Sequence, residues 1–256
     1  MDINGARVLV AGATGVIGSA VADELAERGA RLALAGRDPG RLARAAARHG
    51  GCPTVSFEAY DLDGCARAVE TAARELGGLD AVLTAFGSVA FGRAGEVTDA
   101  VAEHLMTVNF AAPAAMLRAA LGILGGVSSI GPDTANPARS AGHPLGRGGV
   151  LAAVTGVVVE RPQPAMADYC ASKAALSAWL DAVRREVRDD GVRVLDIRLG
   201  HLETGFADRA VSGSPPPMPA GGDVALAVRT VAEALGSETE RVRWDGHAPV
   251  LERRAR

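Results

Sequence analysis

Lysine is almost absent from this chain of 256 residues: it occurs once, as Lys173, and the other 26 of the 27 basic side chains are arginines. The net charge is −3, and the arginines are scattered among Asp and Glu. Such a charge distribution gives no basic field that would recruit nucleic acid or acidic lipid. Neither nucleic acid nor a membrane surface is therefore an expected partner.

Cysteine is also scarce, with three residues at Cys52, Cys65 and Cys170. Their odd number, without a CxxC or Cys/His cluster, argues against a disulfide framework and against a bound metal. The sequence shows no charged-then-apolar leader before its first strand and no apolar run near the ~18–20 residues of a membrane span. These absences predict a soluble protein of the reducing cytoplasm.

Short apolar runs alternate with segments of helical periodicity along the whole chain. The predicted strands are 6–12, 31–36, 54–61, 79–87, 148–156, 192–200 and a last one within 240–251. The predicted helices are 16–30, a segment after Gly36, 65–78, 98–122, 167–189 and 223–235. This alternation predicts one α/β domain over residues 1–256, with the doubly wound parallel sheet of a Rossmann fold.

Two segments interrupt this alternation. Residues 125–149 are rich in Gly, Pro, Ser and Asn, which indicates a loop insertion, and residues 206–223 contain three consecutive prolines. In an open parallel sheet, ligands bind beyond the carboxyl ends of the strands. The segment 206–223 leaves the sixth strand and is therefore a candidate lid over a substrate. The segment 125–149 enters the fifth strand and is expected on the opposite edge.

The stretch AGATGVIG (11–18) joins the first strand to the first helix and carries a glycine every third residue. Glycine is needed where backbone approaches a pyrophosphate closely or where φ is positive. A helix that begins at about Val16 directs free N–H groups and the positive end of its dipole at phosphates. The turn therefore predicts a dinucleotide site formed by Gly12, Thr14, Gly15, Val16, Ile17 and Gly18.

The stretch DYCASKAAL (168–176) places Tyr169 four residues before the single lysine. Positions i and i+4 lie on one face of a helix, one turn apart. A phenol with a pKa of about 10 exchanges protons poorly at neutral pH, and a neighbouring cation is expected to lower that pKa. Arginine is broader and differently aimed, so it is a poor substitute for a compact ammonium. We interpret Lys173 as the lysine that the chemistry requires.

These residues resemble the Tyr-x-x-x-Lys motif of the short-chain dehydrogenase/reductase family, of which the chain resembles a divergent member. The resemblance implies an NAD(P)-dependent oxidoreductase that moves hydride between nicotinamide and a carbonyl or alcohol substrate. Tyr169 would transfer the proton, and Lys173 would also bind the ribose of the cofactor. Members of the family usually form homodimers or homotetramers.

The resemblance assigns roles to further residues. Asn109, in MTVNF, would hold a water in the proton relay behind the lysine. Asp61 would contact the adenine, the adjacent Leu62 would also belong to the cofactor site, and Thr204 would bind the nicotinamide carboxamide. Helix capping remains an alternative role for Asp61 and for Thr204.

Arg37 follows the second strand, whose end faces the ribose 2′ position of a bound dinucleotide. An arginine at this point favours the 2′-phosphate of NADP. Asp38 is adjacent, and an acid there favours NAD. We therefore predict NADP as the cofactor and keep NAD as possible.

The chain departs from the family where a serine normally binds the substrate oxygen, about 13 residues before the tyrosine. Gly156 occupies that position, so either Thr155 supplies the hydroxyl or the site lacks it. An alternative is that GGVSSIG (125–131) is the serine-bearing strand end, with Ser129 as the donor. VLAAVT (150–155) has the better length for a buried strand. The missing serine leaves two other functions open: a dehydratase, isomerase or cyclase on the same scaffold, or a non-catalytic dinucleotide-binding protein.

Overall fold

A computed structural model of the protein describes residues 1–125 and 148–253. Its strands are β1 (Arg7–Ala11), β2 (Arg31–Gly36), β3 (Thr54–Ser56), β4 (Ala81–Thr84), β5 (Gly149–Val154), β6 (Val192–Ile197), β7 (Thr239–Trp244) and β8 (Pro249–Arg253). Its α-helices are α1 (Val16–Glu27), α2 (Pro39–Arg48), α3 (Leu62–Leu76), α4 (Asp99–Met106), α5 (Ala112–Leu124), α6 (Ala167–Glu186) and α7 (Val224–Gly236). A π-helical turn, Thr107–Ala111, joins α4 to α5.

The eight strands form one sheet in the order β3-β2-β1-β4-β5-β6-β7-β8. All neighbouring strands are parallel except β7 and β8. The strand order reverses between β1 and β4, which makes their carboxyl ends the switch point where dinucleotides bind in such sheets. The predicted doubly wound α/β fold is therefore confirmed.

Both faces of the sheet are buried, which explains the continuous apolar runs in the strands. In β1, Val8 and Val10 pack into the cluster formed with α1 and α7. Leu9 and Ala11 point the other way, into the cluster formed with α3, α5 and α6.

Two predicted strands needed correction. The segment 240–251 contains an antiparallel hairpin, β7 and β8, because the Asp245 side chain accepts hydrogen bonds from the N–H groups of His247 and Ala248 and closes a turn. The third strand covers Thr54–Ser56 only. Asp61 therefore lies beyond the strand, at the N-cap of α3.

The helical run Asp99–Leu124 is long and apolar enough, by length and composition, to cross a membrane, contrary to the sequence prediction. Half of its most apolar window is buried inside the protein, and α5 packs against α3. A core helix has the same signature, so the run by itself carries no argument for a membrane.

β5 lies between β4 and β6, with Val150 beside Ala81, so the segment 150–155 supplies the central strand that its apolar character predicts. The loop insertion predicted at 125–149 falls largely, and the alternative donor Ser129 falls wholly, outside the described residues.

Candidate active site

The turn after β1 brings the backbone of two strands into close contact. Gly12 has φ +88°, and a Cβ at this position would lie 2.7 Å from the carbonyl oxygen of Ala85, which follows β4. A Cβ on Gly18 would lie 2.3 Å from the oxygen of Gly12. Gly15 is the N-cap of α1 and supplies no side-chain hydrogen bond to the first turn. The first-turn N–H groups of α1 therefore have no side-chain cap, which is compatible with a bound phosphate, and the dinucleotide role of the turn stays a prediction.

Two exposed arginines lie near this turn, Arg37 directly after β2 and Arg41 in the first turn of α2. Arg37 follows Gly36, and the Arg41 guanidinium donates a hydrogen bond of 2.6 Å to the carbonyl oxygen of Thr14. Asp38 caps α2 by accepting a hydrogen bond from the Arg41 N–H, which lowers the pKa of this carboxyl group. Asp38 thus has a local structural role, and Arg41 adds a cation that the sequence interpretation missed.

Asp61 and Thr204 are the two predicted cofactor ligands that had capping as an alternative role. Asp61 caps α3 through the Gly64 N–H at 2.8 Å and pairs with Arg67 at 3.0 Å, so its capping role is real. The exposed Leu62 follows it. Thr204 caps no helix, because the next helical turn, Ala207–Arg209, has Phe206 as its N-cap. The cofactor roles of these residues stay predictions.

Tyr169 and Lys173 lie one turn apart on the buried face of α6. Lys173 is 5% exposed, and its Nζ donates a hydrogen bond of 3.1 Å to the carbonyl oxygen of Val154, at the end of β5. A Cβ on Gly87, after β4, would lie 3.0 Å from Lys173 Nζ and 2.7 Å from Asn109 Oδ1. The structure therefore brings Lys173 and Asn109 together at Gly87, beside the sheet edge that carries the glycine turn.

Asn109 is fully buried in the π-helical turn between α4 and α5. Its side-chain oxygen accepts a hydrogen bond from the Ser88 N–H at 2.8 Å. Its side-chain nitrogen donates to the main-chain carbonyl oxygen of Ser88 at 2.9 Å and to Ser172 Oγ at 3.0 Å. In a regular α-helix the main-chain carbonyl of Asn109 would accept a hydrogen bond from the N–H of residue 113, which is a proline and has no N–H group. Single π turns in long helices are frequent at functional sites. The local sequence thus positions Asn109 and removes the usual partner of its carbonyl group.

Burial changes the proton affinities of the pair on α6. It lowers the pKa of Lys173 to about 8, although the charge of Asp196 opposes this shift. It also raises the pKa of the Tyr169 phenol above its usual value. The sequence predicts a lowered phenol pKa because of the nearby lysine. That sign is wrong for the protein without cofactor, since loss of solvent around the phenol has the larger effect.

The first half of the predicted lid is docked over Tyr169. Val211 N–H donates to the Val89 oxygen and Phe91 N–H to the Ser212 oxygen, both at 2.9 Å. The Phe206 ring lies 6.4 Å from the Tyr169 ring. The hollow beside Tyr169 has no room for a water molecule, whereas typical small-molecule sites enclose ~300–1,000 Å³. Because Phe206 also packs against the phenol, we expect the lid to move before a substrate reaches Tyr169.

We expect Gly213→Ala to undock the lid, because a Cβ there would lie 1.9 Å from the Phe91 oxygen. Wetting of the phenol should then lower the pKa of Tyr169 towards about 10, which a near-ultraviolet titration of tyrosinate measures. Gly77→Ala is the matched control, since Gly77 has a similar φ of +73° and nothing within 4 Å of an added Cβ. Equal titrations of the two variants would show that this contact does not hold the lid.

Thr155 does not supply the substrate hydroxyl in this arrangement. It is fully buried, and its Oγ donates a hydrogen bond of 2.5 Å to Asp196 on β6. Gly156, at the position of the family serine, has φ +97° and ψ 158°, a conformation that disfavours a serine. The geometry contradicts the catalytic role predicted for Thr155, because the threonine hydroxyl is committed to a buried carboxylate.

A second polar network reaches the site from the surface, and the sequence interpretation missed it. The exposed Tyr60 hydroxyl lies 2.6 Å from His104 Nδ1, and His104 Nε2 lies 2.9 Å from Ser88 Oγ. Ser88 in turn holds Asn109. The three residues are distant in sequence and meet only because the loops after β3 and β4 reach α4, so spacing alone gave no signal.

Comparison with known proteins agrees with this fold. A family model described as short chain dehydrogenase matches residues 6–214. The protein therefore belongs to the short-chain dehydrogenase family, and the predicted class of enzyme, an NAD(P)-dependent short-chain oxidoreductase, is confirmed.

Curated relatives are distant. An uncharacterized oxidoreductase of Staphylococcus saprophyticus is 26% identical over 201 residues, which cover 77% of this chain and 78% of the relative. Dehydrogenase/reductase SDR family member 7B of Bos taurus is 26% identical over 220 residues, 82% of this chain and 62% of the bovine protein. The matched region thus spans less than two thirds of the bovine protein.

Solved structures share the fold at low identity. A short chain dehydrogenase from Burkholderia cenocepacia, in complex with NADP, has a TM-score of 0.75 and 24% identity over 96% of this chain and 90% of that one. An alcohol dehydrogenase from Thermococcus sibiricus, complexed with 5-hydroxy-NADP, has a TM-score of 0.74 and 20% identity over 93% and 94% of the two chains.

Proposed function

We propose that this protein is an NADP-dependent oxidoreductase that reduces a nonpolar carbonyl substrate, or oxidises the corresponding alcohol. The observation that carries the proposal is the meeting of the buried Lys173 ammonium with Asn109 at Gly87, one helical turn from Tyr169. Burying a charged lysine costs free energy of desolvation, and every other basic residue of the chain is arginine. A catalytic role explains best why this lysine is present.

The described residues fit a dinucleotide. The glycine turn and the first-turn N–H groups of α1 would hold the pyrophosphate, because Gly15 caps this helix without a side-chain hydrogen bond to those groups. Lys173 would donate to ribose hydroxyls. Bound NADPH supplies the hydride for carbonyl reduction.

The residues of this chain would handle the proton. Tyr169 donates its phenolic proton to the substrate oxygen, and the Lys173 ammonium stabilises the phenolate that remains. Asn109 holds the water through which Lys173 and the phenol recover a proton from solvent.

This proposal prefers NADP to NAD because two exposed arginines lie near the expected position of the 2′-phosphate. Arg37 comes directly after β2, and Arg41 donates a hydrogen bond to Thr14 in the phosphate-binding turn. Both solved structures described above contain NADP or a derivative of it, which supports the same choice.

We expect Arg37→Glu to change the ratio of NADP to NAD affinity about 10–100-fold in favour of NAD, the worth of a charge-assisted hydrogen bond to phosphate. Arg31→Glu is the control, since Arg31 is also exposed but lies at the opposite end of β2. Titration of both cofactors measures the ratio. Tighter NAD than NADP binding by the wild type would refute the assignment.

Apolar side chains surround the phenol, and this favours a nonpolar substrate. The cluster around Tyr169 contains Val89, Phe91, Leu105 and Met166, with Phe206 packed against it. A panel of apolar ketones with NADPH, followed by nicotinamide absorbance, tests the activity.

The proposal also includes a homodimer or homotetramer, checked by light scattering, and a cytoplasmic location, checked by fractionation of the source cells.

A non-redox enzyme on this scaffold is the second candidate, because the described site has glycine at the position of the family serine. A preorganised donor to a developing oxyanion is worth about 10²–10³ in rate. Conversion of a substrate without any change in nicotinamide absorbance would favour a dehydratase, isomerase or cyclase. Tight NADP binding without turnover would favour a non-catalytic dinucleotide-binding protein.

A further inference from the structure

We propose that Asp196 is a positioning residue that keeps Lys173 charged, and that Arg198 limits how strongly it does so. The proposal rests on the proposed function for its catalytic meaning, whereas the effect on Lys173 concerns the protein without cofactor.

The Asp196 carboxylate is fully buried on β6 and fully engaged. Thr155 Oγ, from the end of β5, donates to Oδ1 at 2.5 Å. Ser177 Oγ, from α6, and Arg198 Nε each donate to Oδ2 at 2.8 Å. Two hydroxyl groups and one guanidinium group therefore converge on this buried carboxylate.

Two contacts place this carboxylate behind Lys173. Ser177 follows Lys173 by one helical turn on the same buried face of α6, so Tyr169, Lys173 and Ser177 form a row. Lys173 Nζ bonds the Val154 oxygen, and Thr155 is the next residue along the chain. The ammonium therefore has the phenol one turn before it and a buried negative charge one turn after it.

Few charged groups face this ammonium among the described residues. On its own helix, the titratable neighbour in the row is Tyr169. On β6 and just beyond it are Asp196 and Arg198. The contacts from β5 and from the π-helical turn are neutral: the Val154 carbonyl and the Asn109 amide.

Arg198 divides its charge between two acids. Its Nε meets Asp196, and its Nη1 donates to Glu160 at 2.7 Å, while Glu160 also pairs with the exposed Arg243. Asp196 is therefore only partly neutralised, and its remaining charge opposes the cost of burying Lys173. A carboxylate that merely joined α6 to β5 and β6 would have no such effect on the lysine.

The single lysine makes the test direct. Biosynthetic labelling with lysine carrying carbon-13 at the ε position gives one side-chain resonance, whose pH titration reports Lys173 in the protein without cofactor. We expect Asp196→Asn to lower the pKa of Lys173, and Arg198→Gln to raise it, by about one unit each, since Coulomb terms at short range in protein are of this order.

The opposite signs separate a charge effect from a packing effect. Loosened packing would admit water and raise the pKa of Lys173 in both variants. Thr155→Val is the matched control, because it removes a hydrogen bond to Asp196 without removing charge and should leave the lysine titration near that of wild type. Shifts of the same sign, or no shift in either charge variant, would overturn the proposal.

If Asp196→Asn does not fold, Arg198→Gln decides alone: a raised Lys173 pKa supports the proposal, and an unchanged or lowered one refutes it. In the active enzyme, the limb of the kcat profile that reports the lysine should move in the same direction as the resonance in each variant. Because the resonance needs neither cofactor nor substrate, absence of turnover would count against the proposed function and not against the role of Asp196.

Discussion

Replacing Lys173 with methionine or arginine is expected to reduce turnover by about 10²–10⁴-fold, the usual worth of a positioned proton-transfer group. Methionine cannot stabilise the phenolate of Tyr169. Arginine keeps the positive charge, but its planar guanidinium cannot occupy the space that the ammonium shares with Asn109 at Gly87. Steady-state kinetics with circular dichroism of each variant measures the loss and verifies that the fold is kept.

The same substitution by methionine should stabilise the protein without cofactor at neutral pH. The pKa of Lys173 is about 8 in the folded protein and 10.5 in a solvated chain. Between these values the unfolded chain binds more protons, so wild-type stability should rise with pH from about 8 to about 10.5. Below about pH 8, the buried charge of Lys173 lowers the free energy of unfolding by about 3 kcal/mol.

Denaturant unfolding across this pH range checks the prediction. Lys173→Met should gain up to about 3 kcal/mol at pH 7 and lose the rise of stability with pH. Lys173→Arg retains a buried charge and should show no such gain. Near-normal turnover in either variant, or a less stable methionine variant, would contradict the role given to this lysine.

Gly12→Ala is expected to abolish dinucleotide binding and to destabilise the fold by about 2–4 kcal/mol. The added Cβ would meet the Ala85 oxygen at 2.7 Å and the Phe86 nitrogen at 2.9 Å, so the strand ends at the switch point must separate. The pyrophosphate cradle loses its shape at the same time.

Gly5→Ala isolates the backbone cost. Gly5 has a φ of +77°, and nothing lies within 4 Å of its added Cβ. This variant should lose about 1–2 kcal/mol and bind NADP like wild type in a calorimetric titration. Wild-type affinity in Gly12→Ala would show that the glycine turn is only a tight connection and not a cofactor site.

Features set by neighbouring residues could be predicted from the sequence. The glycine turn and the Tyr169–Lys173 pair each lie within one short segment, where helix geometry determines the relative positions. The doubly wound parallel sheet followed from the alternation of strands and helices, since right-handed crossovers leave few arrangements.

Features set by contacts across the sheet could not be predicted. Thr155 was a reasonable substrate donor by position, but the buried Asp196 on the next strand takes its hydroxyl. The docking of the lid on Val89 and Phe91 depends on main-chain pairing between segments about 120 residues apart.

The most direct test of the account is transfer of deuterium from NADPH that carries deuterium at both C4 positions of the nicotinamide to an apolar ketone, followed by mass spectrometry. The account predicts one deuterium on the carbinol carbon of the product, and a rate at least about 10²-fold lower in Tyr169→Phe. A product without deuterium, or an unchanged rate in Tyr169→Phe, would contradict it.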